Sequence, residues 1–257
     1  MNTNTFCICI VMGMLLASPH IRQVNAQPLE TWLSFDGGYT FQKSLPLDLN
    51  IPVEQRSNGS ALALSLLYGN DRAEHGVRFS YLRQQDISFH PADLPSFADR
   101  YVALTIDYQY TRYHFRDIGG LPLSFGTGPY LFVANQIIDY RASPNSTVEY
   151  NELMYGGGIN ITLQYLPEAP ISLQLTLLNG GHLGSQEVNR ENSTFSDERA
   201  NGWLAEVNGE VSFRLNADWQ IFAFYNWAER TEHVFQQNQR RTFQHVNLGI
   251  RYRLEDD

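Results

Sequence analysis

Cysteine is almost absent from this chain of 257 residues. The only two cysteines, Cys7 and Cys9, lie in the uncharged apolar run FCICIVMGMLLA at residues 6–17. That run has the length of a signal-peptide core, and Val24-Asn25-Ala26 offers the small residues that a signal peptidase reads. The sequence therefore predicts a signal peptide at residues 1–26 and a mature chain, 27–257, without a thiol. For that mature chain, a disulfide framework, a cysteine metal site and a cysteine nucleophile are excluded.

Basic charge is also scarce. The chain has 18 basic and 27 acidic residues, a net charge of −9, so it lacks the basic surface that a nucleic-acid partner requires. The apolar run at residues 6–17 is too short to cross a bilayer as a helix. A mean hydropathy of −0.32, with 43% hydrophobic residues, fits neither a disordered chain nor a bundle of membrane helices.

Helical periodicity is missing after residue 27, and period-two alternation takes its place. Between residues 101 and 113, Leu104 and Ile106 share one face of the pattern while Asp107 lies on the other. Similar alternation recurs along the mature chain and predicts about ten strands, with eight or twelve left open. Residues 122–138 are apolar on both faces, so the orientation of that strand stays undecided.

The connections between the predicted strands alternate in length. Short turns rich in Gly, Asn, Asp and Pro follow the even-numbered strands, at residues 69–72, 117–120, 167–170 and 216–218. Strict alternation places all the long connections at one end, which predicts an antiparallel up-and-down meander that closes into a barrel. Long polar segments follow the odd-numbered strands, at residues 43–58, 85–99, 139–149, 179–201 and 229–241.

The strand pattern fits two kinds of barrel. A soluble secreted barrel buries its apolar face, whereas a transmembrane barrel turns that face toward lipid and keeps a polar lumen. Charges of both signs lie deep within the polar faces of the strands, and a narrow lumen needs such a balance because unpaired buried charges are costly. We therefore predict a transmembrane barrel in which Arg78 pairs with Asp107, and Asp36 with Arg251 or Arg253. The predicted lumen charges are Asp36, Arg78, Asp107, Glu206, Glu210, Arg214, Arg251 and Arg253.

Aromatic residues and strand length favour the same choice. Most of the predicted strands reach the roughly 9–11 residues that a tilted transmembrane strand needs. Trp and Tyr prefer the membrane–water interface, and seven of them lie near predicted strand ends: Trp32, Tyr101, Tyr113, Trp203, Trp219, Trp227 and Tyr252.

The last predicted strand carries a recognisable motif. Its residues 247–254, NLGIRYRL, resemble the C-terminal β-signal of Gram-negative outer-membrane barrels, with Leu in place of the usual final Phe. The matching positions are Asn247, Gly249, Tyr252 and Leu254. The resemblance implies a small barrel, OmpA-like or omptin-sized, that is exported by a Sec-type route and delivered to the barrel-assembly machinery. It also implies an integral outer-membrane protein in contact with membrane lipid and lipopolysaccharide.

The function follows less directly from the sequence. About ten strands enclose a narrow space, so we expect the lumen charges to form a plug and the long outer segments to bind a surface ligand. The predicted protein is a monomer with a structural or surface-binding role, without a cofactor or a metal site. A barrel enzyme (protease or lipid-modifying), a narrow pore and a soluble secreted ligand-binding barrel remain alternatives. His182 with Ser185, and Ser88 with His90, are His–Ser pairs that an enzyme could use, but no residue is assigned as catalytic.

Overall fold

The computed structural model is a closed all-β barrel. It describes residues 29–46, 54–70, 72–90, 98–143, 146–165, 170–190, 193–234 and 237–254, so the predicted signal peptide at 1–26 lies outside the described residues. Ten strands form the wall: β1 Glu30–Pro46, β2 Glu54–Gly69, β3 Ala73–His90, β4 Ala98–Phe115, β5 Leu123–Ser143, β6 Ser146–Tyr165, β7 Ile171–Arg190, β8 Ser193–Arg214, β9 Trp219–Val234 and β10 Gln237–Leu254.

Every strand pairs antiparallel with its neighbours in the chain, and β10 closes the barrel against β1. The closing ladder runs from Thr31 opposite Leu254 to Pro46 opposite Gln239. The predicted up-and-down barrel of about ten strands is therefore confirmed. No helix in the described ranges is long and apolar enough to cross a membrane, a finding that has no bearing on crossing by strands.

Four short connections lie at one end of the barrel, called here the short-turn end; the opposite end is the far end. Between β2 and β3, the side-chain oxygen of Asn70 accepts hydrogen bonds from the backbone N–H groups of Arg72 and Ala73. Asn216 closes the turn between β8 and β9 in the same way. These are the side-chain-to-backbone turns for which Asn is favoured, so the predicted turn chemistry is found in these two connections.

At the far end, the strands extend well beyond their predicted bounds. Residues 179–201, predicted as one polar connection, belong to β7 and β8 except for 191–192. The reason is that a β-ladder is held by backbone hydrogen bonds and needs no apolar face once both of its surfaces contact water. Alternation therefore disappears along the chain before the strand does, and the sequence pattern underestimates the strand length.

The outer wall of the barrel is apolar all the way round. Leu104 of β4 is 56% exposed, whereas Asp107 of the same strand lines the interior, so the apolar face points outward as a transmembrane barrel requires. A soluble barrel would bury these side chains. Each of the ten strands contributes at least one exposed large hydrophobic residue: Phe35, Leu64, Phe79, Leu104, Leu131, Ile159, Leu175, Val211, Tyr225 and Leu248.

The aromatic residues near strand ends divide between the two surfaces. Trp203 and Trp219 are outward and exposed, and Trp219 packs on Tyr252 with ring centroids 4.7 Å apart. Trp32 and Tyr101 are instead buried and line the interior, so the expectation that they face the membrane interface is wrong. Both occupy positions of the same parity as the inward residues of their strands, and this parity decides orientation more strongly than residue type does.

Candidate functional site in the barrel lumen

The lumen contains a hub of polar contacts centred on Asp36. Arg78 Nη2 donates to Asp36 Oδ1 at 2.7 Å, and Asn247 Nδ2 donates to the same oxygen at 2.6 Å. Asp36 is fully buried. Because Arg78 belongs to β3 and Asn247 to β10, this carboxylate of β1 connects three strands and crosses the closing seam of the barrel.

A second ion pair lies nearer the short-turn end. Arg251 Nη2 contacts Glu210 Oε2 at 3.0 Å, and Arg251 Nη1 donates to Gln220 at 3.4 Å. The Arg251 guanidinium also lies 4.8 Å from the ring centroid of Phe222, and that of Arg78 lies 5.0 Å from that of Phe224. Arg78 and Arg251 thus each make a cation–π contact with an aromatic ring of β9.

The predicted partners of these charges differ from those in the structure. The register places Arg78 directly opposite Asp107, but in the described residues no ion pair joins them, and Asp107 instead accepts a hydrogen bond from Tyr130 Oη at 2.9 Å. Asp36 was expected to meet Arg251 or Arg253. It lies opposite Gly249 in the ladder and pairs with Arg78.

The remaining predicted lumen charges lie at different depths. Glu206 accepts hydrogen bonds from Asn208 at 2.8 Å and from Asn226 at 2.7 Å. Arg214 lines the interior near the short-turn end. Arg253 is at the rim, where it contacts Glu30 at 3.3 Å and Asp218 at 3.5 Å on partly exposed side chains. A plugging role for the set as a whole stays a prediction.

An apolar layer fills the lumen on the far-end side of these charges. It settles the orientation of β5, the strand that the sequence left undecided: Tyr130, Phe132 and Ala134 point inward and are buried. The Tyr130 and Phe132 rings stack with centroids 5.9 Å apart. Seven strands contribute to the layer, which consists of Tyr101, Ala103, Tyr130, Phe132, Ala134, Met154, Leu178, Leu204, Ala228 and Phe243.

A buried polar layer follows the apolar layer toward the far end. Arg241 Nη1 contacts Glu152 Oε2 at 3.3 Å and Gln136 Oε1 at 3.2 Å. Arg230 donates to the Met154 sulfur at 3.2 Å and lies over the Phe132 and Phe243 rings. The polar cap, as this layer is called here, consists of Gln84, Gln136, Glu152, His182, Arg230 and Arg241, none more than 9% exposed.

Sequence reasoning missed the polar cap because its members lie where the strands were expected to have ended or to begin. Arg230 and Arg241 fall in the segment 229–241, predicted as a connection. Their inward orientation follows from the two-residue repeat of a strand, in which every second residue points to the same face. Arg241 precedes the inward Phe243 by two positions, and Arg230 follows the inward Ala228 by two. Continuing the alternation through the polar residues would have found both.

The His–Ser pairs considered for an enzyme do not form a site. His182 is buried in the lumen beside Phe132, while Ser185 is exposed on the outer side of the same strand. A spacing of three in a strand places two residues on opposite faces. The side chains of Ser88 and His90 lie outside the described part of the structure. Among the described residues, no group of three or more His, Cys, Asp or Glu side chains is arranged to hold a metal ion.

Residues of the C-terminal motif have clear packing roles. Asn247 points inward to Asp36, whereas Tyr252 and Leu254 belong to the outer face. A Cβ at Gly249 would lie 2.4 Å from Phe222 Cζ and 2.7 Å from Asp36 Cβ, so this position admits only glycine without rearrangement. These contacts account for Gly249 and Asn247 within the folded barrel; recognition by assembly machinery stays a prediction.

A cavity of about 410 Å³ extends through the lumen from the short-turn side into the apolar layer, and Gln136 and Arg230 of the polar cap also contribute to its lining. Its lining runs from Glu30, Ser172 and Arg214, near the short-turn ends of their strands, to Gln136 and Phe243 in the two layers described above. Glu152, Met154 and Arg241 lie beyond it and are almost completely buried. The lumen therefore has two halves: an open, charged chamber, and a packed segment made of the apolar layer and the polar cap.

No known family model matches the sequence, and no curated protein is significantly similar to it. Solved structures share the barrel. The outer membrane protease OmpT from Escherichia coli aligns with a TM-score of 0.60 and 6% identity over 90% of this chain and 99% of its own. The translocator domain of the autotransporter NalP from Neisseria meningitidis aligns with a TM-score of 0.49 and 10% identity over 98% of both chains.

At such low identity, only the fold is shared. The alignment with OmpT shows that the chain shares the closed-barrel fold of that protein. It transfers no activity, because the same barrel supports unrelated functions.

Proposed function

We propose that the protein is an integral outer-membrane β-barrel whose lumen is plugged and whose far end forms a binding surface outside the cell. The observation that carries the proposal is the exposed apolar wall contributed by all ten strands. Exposed apolar surface on this scale is stable in lipid and not in water. Membrane lipid, lipopolysaccharide and the barrel-assembly machinery are the partners that this location supplies.

The plug consists of the apolar layer and the polar cap. Tyr101, Phe132 and Met154 are buried from different strands and meet inside the barrel. A narrow lumen filled by side chains of this size leaves no continuous water path. A narrow pore is the second candidate, because the chamber of about 410 Å³ is open space within the lumen. Reconstituted protein in a planar bilayer distinguishes the two: the plugged barrel gives no stepwise ion conductance, and a pore does.

A surface role is supported by the uneven height of the far end. The strands β5 to β8 have 20 to 22 residues, whereas β1, β2 and β9 have 16 or 17. All strands have one end at the short-turn end of the barrel. The longer strands therefore extend beyond the shorter ones at the far end. An extended hairpin edge of this kind offers backbone and side-chain contacts to a partner.

Single cysteines test location and orientation together, because the mature chain has none of its own. Glu187 is exposed near the far end of β7, and Asn216 is exposed in a short turn. With Glu187→Cys, a membrane-impermeant maleimide should label intact cells. With Asn216→Cys, labelling should require permeabilised cells. Labelling of both in the culture medium, without membranes, would instead identify a soluble secreted barrel, and the reversed pattern would overturn the orientation.

A further inference from the structure

The chamber exists because one side of the lumen is built from small residues. On β2, β3 and β4, the inward positions that line it are occupied by residues no larger than threonine at seven places: Ala61, Ala63, Ser65, Gly76, Ser80, Ala103 and Thr105. Protein interiors normally close such space to a density of about 0.75. A lumen that served only as a plug would carry larger side chains at these positions.

Aromatic side chains line the same chamber on two other strands and are called here the aromatic wall: Tyr130 and Phe132 on β5, which pairs with β4, and Phe222 and Phe224 on β9. Its volume of about 410 Å³ lies within the roughly 300–1,000 Å³ typical of small-molecule sites. Small residues together with aromatic ones produce a chamber that suits a compact ligand with an apolar or aromatic body.

Two carboxylates of the chamber, Asp107 and Glu206, are held by neutral hydrogen-bond donors and not by arginine. Asp36 and Glu210 have arginine partners at 2.7 Å and 3.0 Å. Asp107 receives a hydrogen bond from Tyr130, and Glu206 receives hydrogen bonds from two asparagines. Within the described residues, neither Asp107 nor Glu206 has an ion pair. Both line the chamber together with Glu74, which also has no ion pair among the described residues, so the chamber contains acidic groups that no arginine contacts directly.

We propose that the chamber is a binding site for a small organic cation, an amine with an apolar or aromatic body, whose ammonium group is held between Asp107 and Glu206. A cation at this position supplies the direct ion pair that both carboxylates lack, and a hydrogen bond between two charged groups is stronger than one from a neutral donor. The body of the ligand lies against the aromatic wall and the small residues of β2 to β4. Access is from the short-turn end, because the lining of the chamber reaches that end, whereas Glu152 and Arg241 beyond its other end are almost completely buried. The site is independent of the far-end surface role.

The test uses the full barrel in nanodiscs of phosphatidylcholine, with phenethylamine as the probe. Binding is measured by saturation-transfer NMR and calorimetry, with empty nanodiscs to subtract partitioning into lipid. The neutral analogue 2-phenylethanol and the anionic analogue 3-phenylpropionate have the same body with a different end group. We expect phenethylamine to bind at least tenfold more tightly than either analogue.

The variants Asp107→Asn and Glu206→Gln keep the shape of the site and remove one charge each. Each should weaken phenethylamine binding at least tenfold, while Glu187→Gln on the exposed outer face leaves it unchanged. Ser80→Phe places a large side chain in the chamber with both carboxylates intact and should abolish binding. Heat-modifiable migration in detergent gels confirms that each variant is a folded barrel.

Three outcomes would overturn the proposal. The first is an absence of phenethylamine binding beyond that of empty nanodiscs. The second is equal binding of amine and alcohol, or equal binding by the wild type and the charge variants, which would indicate an apolar pocket without cation recognition. The third is a preference for 3-phenylpropionate, which would assign the chamber to an anion held by Arg214 or Arg251.

Discussion

The two halves of the lumen use charge in opposite ways. Near the short-turn end, Arg251 and Glu210 are 14% and 16% exposed and border an open chamber. Beyond the apolar layer, Arg241 and Glu152 have side chains only 6% and 1% exposed and no open space around them. The same kind of ion pair is hydrated in one half and desolvated in the other. Removing a partner from a desolvated pair leaves an uncompensated charge, whereas water can replace a lost partner in the chamber.

The largest effect is expected in the polar cap. Glu152→Gln leaves the buried Arg241 guanidinium without its carboxylate and should lower the free energy of unfolding by about 3–5 kcal/mol. Urea titration of the reconstituted barrel, followed by tryptophan fluorescence, measures the loss. Glu187→Gln, on the exposed outer face of β7, is the matched control and should change little.

A double replacement sharpens this result. Changing both Glu152 and Arg241 to Met removes both charges of this pair, and replacements of a buried ion pair by apolar residues are often neutral or stabilising. If the double variant is as unstable as Glu152→Gln, the cost does not come from an unpaired charge, and the contrast between the two halves of the lumen fails.

The second effect concerns the apolar layer that divides the halves. Phe132 is 4% exposed at its centre, so Phe132→Ala should lower the free energy of unfolding by about 3 kcal/mol. The space left in a narrow lumen should also admit ions, which planar-bilayer recording detects as conductance absent from the wild type. Phe224→Ala removes an equal side chain from the chamber wall, where it is half-buried. An equal loss of stability, or equal conductance, in Phe224→Ala would contradict a plug located in the apolar layer.

The third effect is expected at Asp36, which belongs to the chamber half but is itself fully buried. Asp36→Asn keeps the size of the side chain and removes the charge that Arg78 and Asn247 both contact. We expect a loss of about 2 kcal/mol, typical of hydrogen bonds to a charged group, because Arg78 is 27% exposed and remains partly hydrated. Ser34→Ala, at the preceding inward position of β1, tests whether any change at the seam has the same effect.

The sequence predicted the barrel wall well because one physical rule controls it. Leu104 and Asp107 face opposite sides as their parity requires, and Asn70 and Asn216 form the turns that their side chains favour. The orientation of β5 could not be read in this way, because Tyr130 and Phe132 are apolar on an inward face. The prediction assumed that inward residues are polar, and the residues of the apolar layer point inward but are not polar.

The lumen contacts were harder to predict because they depend on curvature. Pairing arguments compare neighbouring strands, and they matched Arg78 with Asp107, which lie opposite each other in the ladder. In a narrow barrel, inward side chains also reach past a neighbouring strand. Arg78 of β3 therefore crosses β2 and contacts Asp36 of β1. An arginine in the lumen can reach several inward acids. The acid that it pairs with depends on the diameter of the barrel and on the space left by small residues such as Ser65, and the alternation of polar and apolar residues reveals neither quantity.

The smallest effect is expected at the rim of the short-turn end. Arg253 contacts Glu30 and Asp218 there, and the three side chains are 36–45% exposed. Arg253→Ala should therefore lower the free energy of unfolding by at most about 1 kcal/mol. This loss should also vanish in 1 M salt, where the screening length is about 3 Å, whereas the loss caused by Glu152→Gln should persist because ions cannot reach the polar cap. Repeating both urea titrations at low and high salt measures the difference. If the two variants depend on salt to the same extent, the polar cap is hydrated like the rim, and the division of the lumen into an open half and a desolvated half is wrong.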